Sequence, residues 1–326
     1  MKRPIALTVI AATTLLASVV VTGPAQAKVS GPNGQIVFTR SDRSADEDFT
    51  YTINPDGSNM QPLLPGFTSG GPHWSPDGSE VAVGSSLGVP CCTFPYSAVI
   101  INPDTDSFRT LPQQDPNVST FCVVWSPDAT QLACSGENES DSSVNGLYTI
   151  RSSDGGGLTR LTNAGPGLVD IPIDYSPDGT RIAFGRSSQQ DHSCIKGSAL
   201  FVVNADGSEL HRITPWHFCD DDGSWSPDGT RIAFEHHGSL FVVHPDGTGL
   251  ATIRLAIPGT YGAGDFVWSP DGTKIVFLLF TPTGPNSFQE GIATANADGS
   301  NVQQVTIAPS GLFDHEPDWG PHPLAT

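Results

Sequence analysis

The sequence predicts an all-β protein, a six-bladed β-propeller of four-stranded antiparallel blades whose ring is closed by the C-terminal strand joining the N-terminal blade. Three observations predict it. An aromatic-Ser-Pro-Asp-Gly motif recurs along the chain, a second Asp-Gly motif interleaves with it, and the two ends stop at complementary phases of the repeat.

The first motif stands at Trp74-Ser75-Pro76-Asp77-Gly78, Trp125-Ser126-Pro127-Asp128-Ala129, Tyr175-Ser176-Pro177-Asp178-Gly179, Trp225-Ser226-Pro227-Asp228-Gly229 and Trp268-Ser269-Pro270-Asp271-Gly272. Trp319-Gly320-Pro321 is a worn sixth copy, and successive aromatics are 51, 50, 50, 43 and 51 residues apart. The second motif stands at Asn54-Pro55-Asp56-Gly57, Asn102-Pro103-Asp104, Asp154-Gly155, Asn204-Ala205-Asp206-Gly207, His244-Pro245-Asp246-Gly247 and Asn296-Ala297-Asp298-Gly299. Both are turns with a mechanism: Pro presets φ, Asp bonds its own backbone, and Gly takes the left-handed conformation that restarts the strand. Ala129 occupies a glycine position, at a cost of about 1–2 kcal/mol if its φ is positive.

Between the turns lie β-branched and aromatic runs of strand length, such as Arg181-Ile182-Ala183-Phe184 after the first motif and Leu200-Phe201-Val202-Val203 before the second. Each repeat therefore holds four strands, A to D, with A ending at the aromatic. A period near fifty residues with four strands per repeat describes propeller blades. The chain enters at a strand B, Gln35-Ile36-Val37-Phe38, and leaves after a strand A, His315 to Trp319. Pairing these ends completes the first blade and hides two sheet edges. The motif aromatics pack between blades, since large rings dominate such cores.

Residues 1–27 read as a signal peptide: Lys2 and Arg3, an apolar stretch from Ile5 to Val21, and Ala25-Gln26-Ala27 as the cleavage site. The propeller then occupies 28–322, and 323–326 form a C-terminal tail. No other segment could span a bilayer as a helix. A secreted or periplasmic monomer is expected. Loss of Lys2 and Arg3 takes the formal charge from −19 to −21, which repels phosphate backbones and argues against nucleic acid as a partner.

The repeat W-S-P-D-G followed by a short I-A-F strand resembles the WD40-like repeat of TolB-type propellers. The resemblance runs from Gly34 to Trp319. It implies the propeller fold, and a family that includes periplasmic scaffolds binding other proteins, regulatory propellers of prolyl-oligopeptidase-type enzymes and some polysaccharide lyases. Because the propeller starts within a few residues of the expected cleavage site, no counterpart of the extra N-terminal domain of TolB itself is expected.

Chemistry is sparse. Gly84-Ser85-Ser86-Leu87-Gly88 fits G-x-S-x-G, but no helix follows it to make a nucleophile elbow. The stronger candidate is an acidic ring. Five residues before the strand A aromatics stand Asp170, Asp220 and Asp314; three before stand Asp222, Asp265 and Glu316; His315 lies between. Strand A is innermost, so these carboxylates are expected at the channel mouth. Asp222, Asp265 and Glu316 are the expected ligands of a cation such as Ca²⁺. Cys194 and Cys219 fall in loops on one face and are expected to form a disulfide. Cys91, Cys92, Cys122 and Cys134 allow several pairings, and Cys122 faces Cys134 by the hairpin count. The leading expectation is a non-catalytic binding or scaffold propeller recognising a protein or carbohydrate ligand on the face of the B–C loops. The alternative is a metal-assisted lyase or lactonase-like hydrolase acting in the channel, although no His or Lys is obviously paired with the carboxylates.

Overall fold

The computed structural model describes residues 31–45, 47–85, 97–188, 197–216, 223–257, 262–284 and 287–325. The expected leader over 1–27 lies outside them. Blade 1 takes β24 (Leu312–Trp319) beside β1 (Ile36–Asp42), β2 (Glu47–Ile53) and β3 (Gln61–Pro62). Blade 2 is β4 (Gly70–Trp74), β5 (Val81–Ser85), β6 (Ser97–Asn102) and β7 (Ser107–Leu111). Blade 3 is β8 (Ser119–Trp125), β9 (Gln131–Glu137), β10 (Gly146–Arg151) and β11 (Thr159–Arg160). Blade 4 is β12 (Leu168–Tyr175), β13 (Arg181–Ser188), β14 (Ala199–Asn204) and β15 (His211–Arg212). Blade 5 is β16 (Gly223–Trp225), β17 (Ile232–His236), β18 (Ser239–Val243) and β19 (Ala251–Ile253). Blade 6 is β20 (Gly262–Trp268), β21 (Lys274–Gly284), β22 (Ser287–Asn296) and β23 (Gln303–Gln304). The one helical element among the described residues is a 3-10 turn at Ser142–Val144.

The Ser-Pro-Asp-Gly turn is one structure built five times. In the first copy Ser75 Oγ donates to Asp77 Oδ1 (2.7 Å), which also accepts from the Ser79 amide (3.0 Å), while Glu80 N donates back to Ser75 Oγ (2.9 Å). Ser126/Asp128, Ser176/Asp178, Ser226/Asp228 and Ser269/Asp271 repeat the Ser-to-Asp bond at 2.6–2.7 Å. The residue after the Asp has φ near +70° when it is Gly, and Ala129 holds +58° in the same place. The Asp-Gly turns work likewise, with Asp56, Asp206, Asp246 and Asp298 each accepting the amide two residues on at 2.9 Å. The short B–C connection of blade 5 is His237-Gly238, with φ of +50° and +73°; two successive positive φ values suit a two-residue hairpin.

The motif aromatics Trp74, Trp125, Tyr175, Trp225, Trp268 and Trp319 are all buried, each against the neighbouring blade. Trp225, for example, packs on Ile173, Leu200 and Val202 of blade 4, with the Arg181 guanidinium 4.9 Å from its ring centre. Cys134 stands where blades 4, 5 and 6 carry a core Phe, and it forms a disulfide with Cys122 directly opposite on β8. Cys91, Cys92, Cys194 and Cys219 lie outside the described residues.

Closure follows the predicted phase. Ile36 pairs with Trp319 and Val37 with Asp318, and after a bulge Thr39 pairs with His315 and Arg40 with Asp314. Trp319 Nε1 donates to Gly34 O (2.9 Å), and Gln35 N donates to His322 O (2.9 Å). Residues beyond Trp319 continue over the adjoining blades 1 and 2. The His322 ring stacks on Trp74 of blade 2 at 4.9 Å, and Asn54 and Asn59 each donate to Ala325 O at 2.9 Å. The expected tail is thus packed against the body as far as Ala325.

Candidate functional site: the channel and its mouth

The six A strands surround a central channel. Its upper part, toward the B–C loops, is a cavity of about 210 Å³ to which every blade contributes at least one residue. The walls are mainly apolar, including Pro72, Phe121, Ile171, Phe266 and Pro317, with Asp265 and Glu316 as the carboxylates. A smaller space of about 40 Å³ lies toward the Ser-Pro-Asp turns.

An innermost strand has one edge with no further strand to pair with, so its amides need other acceptors. Here carboxylates supply them from blade to blade. Asp265 Oδ2 of blade 6 accepts from Glu316 N of blade 1 (3.0 Å), and Glu316 Oε2 accepts from Gly71 N of blade 2 (2.8 Å). Asp318 Oδ2 of blade 1 accepts from Trp74 N of blade 2 (2.7 Å), and Asp174 Oδ2 of blade 4 accepts from Trp225 N of blade 5 (3.0 Å). A bulge makes this possible. The A–B register shifts in blades 1, 2, 3, 4 and 6 just before the aromatic, and Gly71, Asp265 and Glu316, three residues before it, have φ of +60°, +51° and +51°. Bulges re-aim side chains and free backbone groups.

The acidic positions therefore divide. Asp265, Glu316 and His315 come together at the mouth where blades 6 and 1 meet. Asp170 and Asp314 do not join them: both are fully buried in bidentate pairs, Asp170 with Arg186 (2.6 and 2.8 Å) and Asp314 with Arg40 (2.6 and 2.8 Å). Each Arg lies near two rings of its own blade, Arg186 at 5.7 Å from Phe184 and 4.9 Å from Phe201, Arg40 at 5.7 Å from Phe38 and 5.2 Å from Tyr51. A buried carboxylate needs such a partner, which fixes these two as structural ion pairs of blades 4 and 1. Asp220 and Asp222 lie outside the described residues. Among the described residues no group of three or more His, Cys, Asp or Glu is placed to hold a metal ion.

Residues that sequence patterns did not single out complete the mouth. Ser41 Oγ lies 2.5 Å from His315 Nε2 and also bonds Asp48. His315 Nδ1 is 3.6 Å from Glu316 Oε2, which accepts from Thr39 Oγ1 at 2.9 Å. Glu290 of β22 is 6% exposed with Arg43 3.6 Å away. Burial pushes its carboxyl above the usual range, aided by Asp265 and Asp314 and opposed by Arg43 and His315. Above the mouth stands the longest hairpin of the protein among the described strands, β21–β22, with Phe288 exposed and set edge-on to Phe280 at 5.5 Å.

Several solved structures share this fold. TolB from Acinetobacter baumannii superposes with a TM-score of 0.64 at 17% identity, over 88% of this chain and 66% of that one. A putative TolB from Agrobacterium tumefaciens gives 0.62 at 17% identity, over 89% of this chain and 99% of that one. The fold is that of a TolB-like propeller. An oligogalacturonate lyase in complex with manganese is more distant, at 0.51 and 17% identity over 86% of this chain and 75% of that one. No protein-family model matches the sequence. An uncharacterized protein of Agrobacterium fabrum is 32% identical over 140 residues, which are 43% of this chain and 41% of that protein. The match thus spans less than half of the relative's length.

Proposed function

We propose that this TolB-like propeller is an exported, monomeric, non-catalytic binding or scaffold protein that holds a protein or glycan ligand on its B–C loop face. The observation that carries the reading is the mouth itself, where six blades converge on an apolar funnel with Asp265, Glu316 and His315 at its rim. The Phe288 hairpin beside it offers an aromatic anchor of the kind that dominates binding surfaces. The Cys122–Cys134 disulfide fits an oxidising compartment, as export requires. A photo-crosslinking residue in place of Phe288 should trap one discrete partner from the native extracellular or envelope fraction, and the same residue in place of Asn301, in the turn region of the opposite face, should trap none. Equal labelling from both faces, or from neither, would refute the reading.

One observation favours a second reading, an acid–base enzyme at the same mouth. His315 touches Ser41 through one ring nitrogen and approaches Glu316 with the other, an arrangement able to move a proton. Turnover of an ester, lactone or polysaccharide that disappears in His315→Ala, with crosslinking at position 288 preserved, would establish it over the scaffold.

A further inference from the structure

Strand D of each blade has an outer edge with no neighbour in its own sheet, and such an edge is a template for another chain. Five blades keep it short: β3, β11, β15 and β23 have two residues each and β19 has three. In blade 2, β7 runs five residues, Ser107–Leu111, paired with β6 from Asn102↔Ser107 to Ala98↔Leu111.

The register fixes which backbone groups this edge presents. Leu63, Ile213 and Val305 hold in blades 1, 4 and 6 the place of Leu111, and each donates its amide inward to strand C at 2.8–2.9 Å. Bonding alternates along an antiparallel strand, so the amides and carbonyls of Phe108 and Thr110 turn outward. Among the described residues no backbone group pairs with them. The outward position that Thr110 holds is Pro62 in blade 1, Arg160 in blade 3 and Arg212 in blade 4. Proline and charge block exposed edges, and Thr110 supplies neither. Phe108 is 51% exposed and lies against Phe67, ring centres 5.6 Å apart, an aromatic shelf beside the edge. Arg109 on the other face is held by Glu80 (2.9 Å) and the Ser152 carbonyl (3.4 Å), so its charge does not guard the strand. Asp104 and Asp106 stand exposed in the turn that leads into β7.

We propose that the outer edge of blade 2 takes up an extended segment of a partner protein as a fifth strand. Open N–H and C=O groups in strand spacing are satisfied by another extended backbone. The Phe108–Phe67 shelf selects an apolar side chain on one face of that segment, and Asp104 and Asp106 select a lysine or arginine at its end. A second copy of this chain, of formal charge −19, offers no basic residue in β7 beyond the paired Arg109. The surface is separate from the channel mouth.

Fluorescence anisotropy of the full mature protein with a fluorescein-labelled heptapeptide, alternating Val and Thr between terminal Lys residues, tests it. Saturable binding is expected, with hydrogen-exchange protection gained at the Phe108 and Thr110 amides. The peptide with two adjacent prolines at its centre, or with Glu in place of Lys, should bind about tenfold more weakly or worse. Thr110→Pro removes an outward amide and copies what blade 1 carries at Pro62, so it should keep the melting temperature and weaken the peptide about tenfold. Phe108→Ala leaves the ladder intact and should also weaken it. Thr252→Pro, at the matching position of blade 5, should leave binding unchanged. The proposal is overturned if the peptide does not saturate, if the proline or Glu peptide binds as tightly, if Thr110→Pro and Phe108→Ala both retain the affinity, or if Thr252→Pro weakens it as much. A dimer in sedimentation that Thr110→Pro dissolves would also overturn it, by giving the edge to a second copy.

Discussion

Asp318 offers the sharpest test of the blade-to-blade carboxylates. It is 4% exposed, and its Oδ2 is the acceptor of the Trp74 amide on the next blade at 2.7 Å. Replacing it by Ala strips that amide of its acceptor beside the channel, where no strand can substitute. An amide left unsatisfied in a buried place costs about 1–3 kcal/mol. At roughly 2 °C per kcal/mol for a domain of this size, the midpoint should fall by about 2–6 °C. Asp318→Asn keeps a carbonyl oxygen in the same position and should recover at least half of the loss. Urea melts followed by tryptophan fluorescence give the stabilities, and hydrogen exchange at the Trp74 amide gives the local readout. That amide should lose protection in the Ala variant and keep it in the Asn variant. An Ala variant as stable as the parent, or a Trp74 amide equally protected in both, would show that the carboxylate does not carry the contact.

Four further outcomes are expected. Deleting residues 312–326 removes β24 with the Arg40–Asp314 pair and buried Trp319, and should abolish cooperative unfolding in calorimetry; an unchanged melt would contradict ring closure. Ala129→Gly relieves a left-handed alanine at φ +58° and should stabilise by about 1 kcal/mol in a denaturant titration. A Cys194–Cys219 bridge should appear in non-reducing peptide maps of exported protein, and free thiols at both positions would reject it. The pH profile should have two limbs. Hydrogen bonds hold the turn carboxyls, such as Asp56, Asp206, Asp246 and Asp298, below their ordinary 3.8, so their stabilisation is complete above that value and is lost as pH falls through the folded pKa. Burial raises Glu290 above its ordinary 4.5, so its effect runs the other way: stability drops as pH rises through its folded pKa, and Glu290→Gln should stabilise at neutral pH but not below pH 4.

The blades were legible because their turns are local: Ser, Pro, Asp and Gly at fixed offsets dictate the same hydrogen bonds each time, and strand A and strand B follow by counting. The mouth was less legible because it depends on the bulge. Counting back from Trp319 in a regular strand puts Asp314 and Glu316 on one face, whereas the left-handed residue at Glu316 separates them, one to an ion pair inside the blade and one to the channel. One signal was present and unread: Phe38-Thr39-Arg40 and Phe184-Gly185-Arg186 repeat a Phe-x-Arg in strand B of the same two blades that carry Asp314 and Asp170, and that repeat announces the partners. Ser41, Asp48 and Glu290 lie on three strands of two blades and share no motif, so only the closed ring brings them to His315.

The pairing of β24 with β1 also sets an order of events. β1 is made first, yet the strand that covers its inner edge is among the last to be synthesised. Blade 1 therefore lacks its inner strand until β24 is available, and that pairing joins Ile36 to Trp319. Pairings of such high sequence separation are intrinsically slow, because the entropy of closing a long loop is lost before the contact rewards it. In synthesis from the N-terminus, blade 1 cannot gain its inner strand until Leu312–Trp319 has emerged, so the ring can close only around a strand made late.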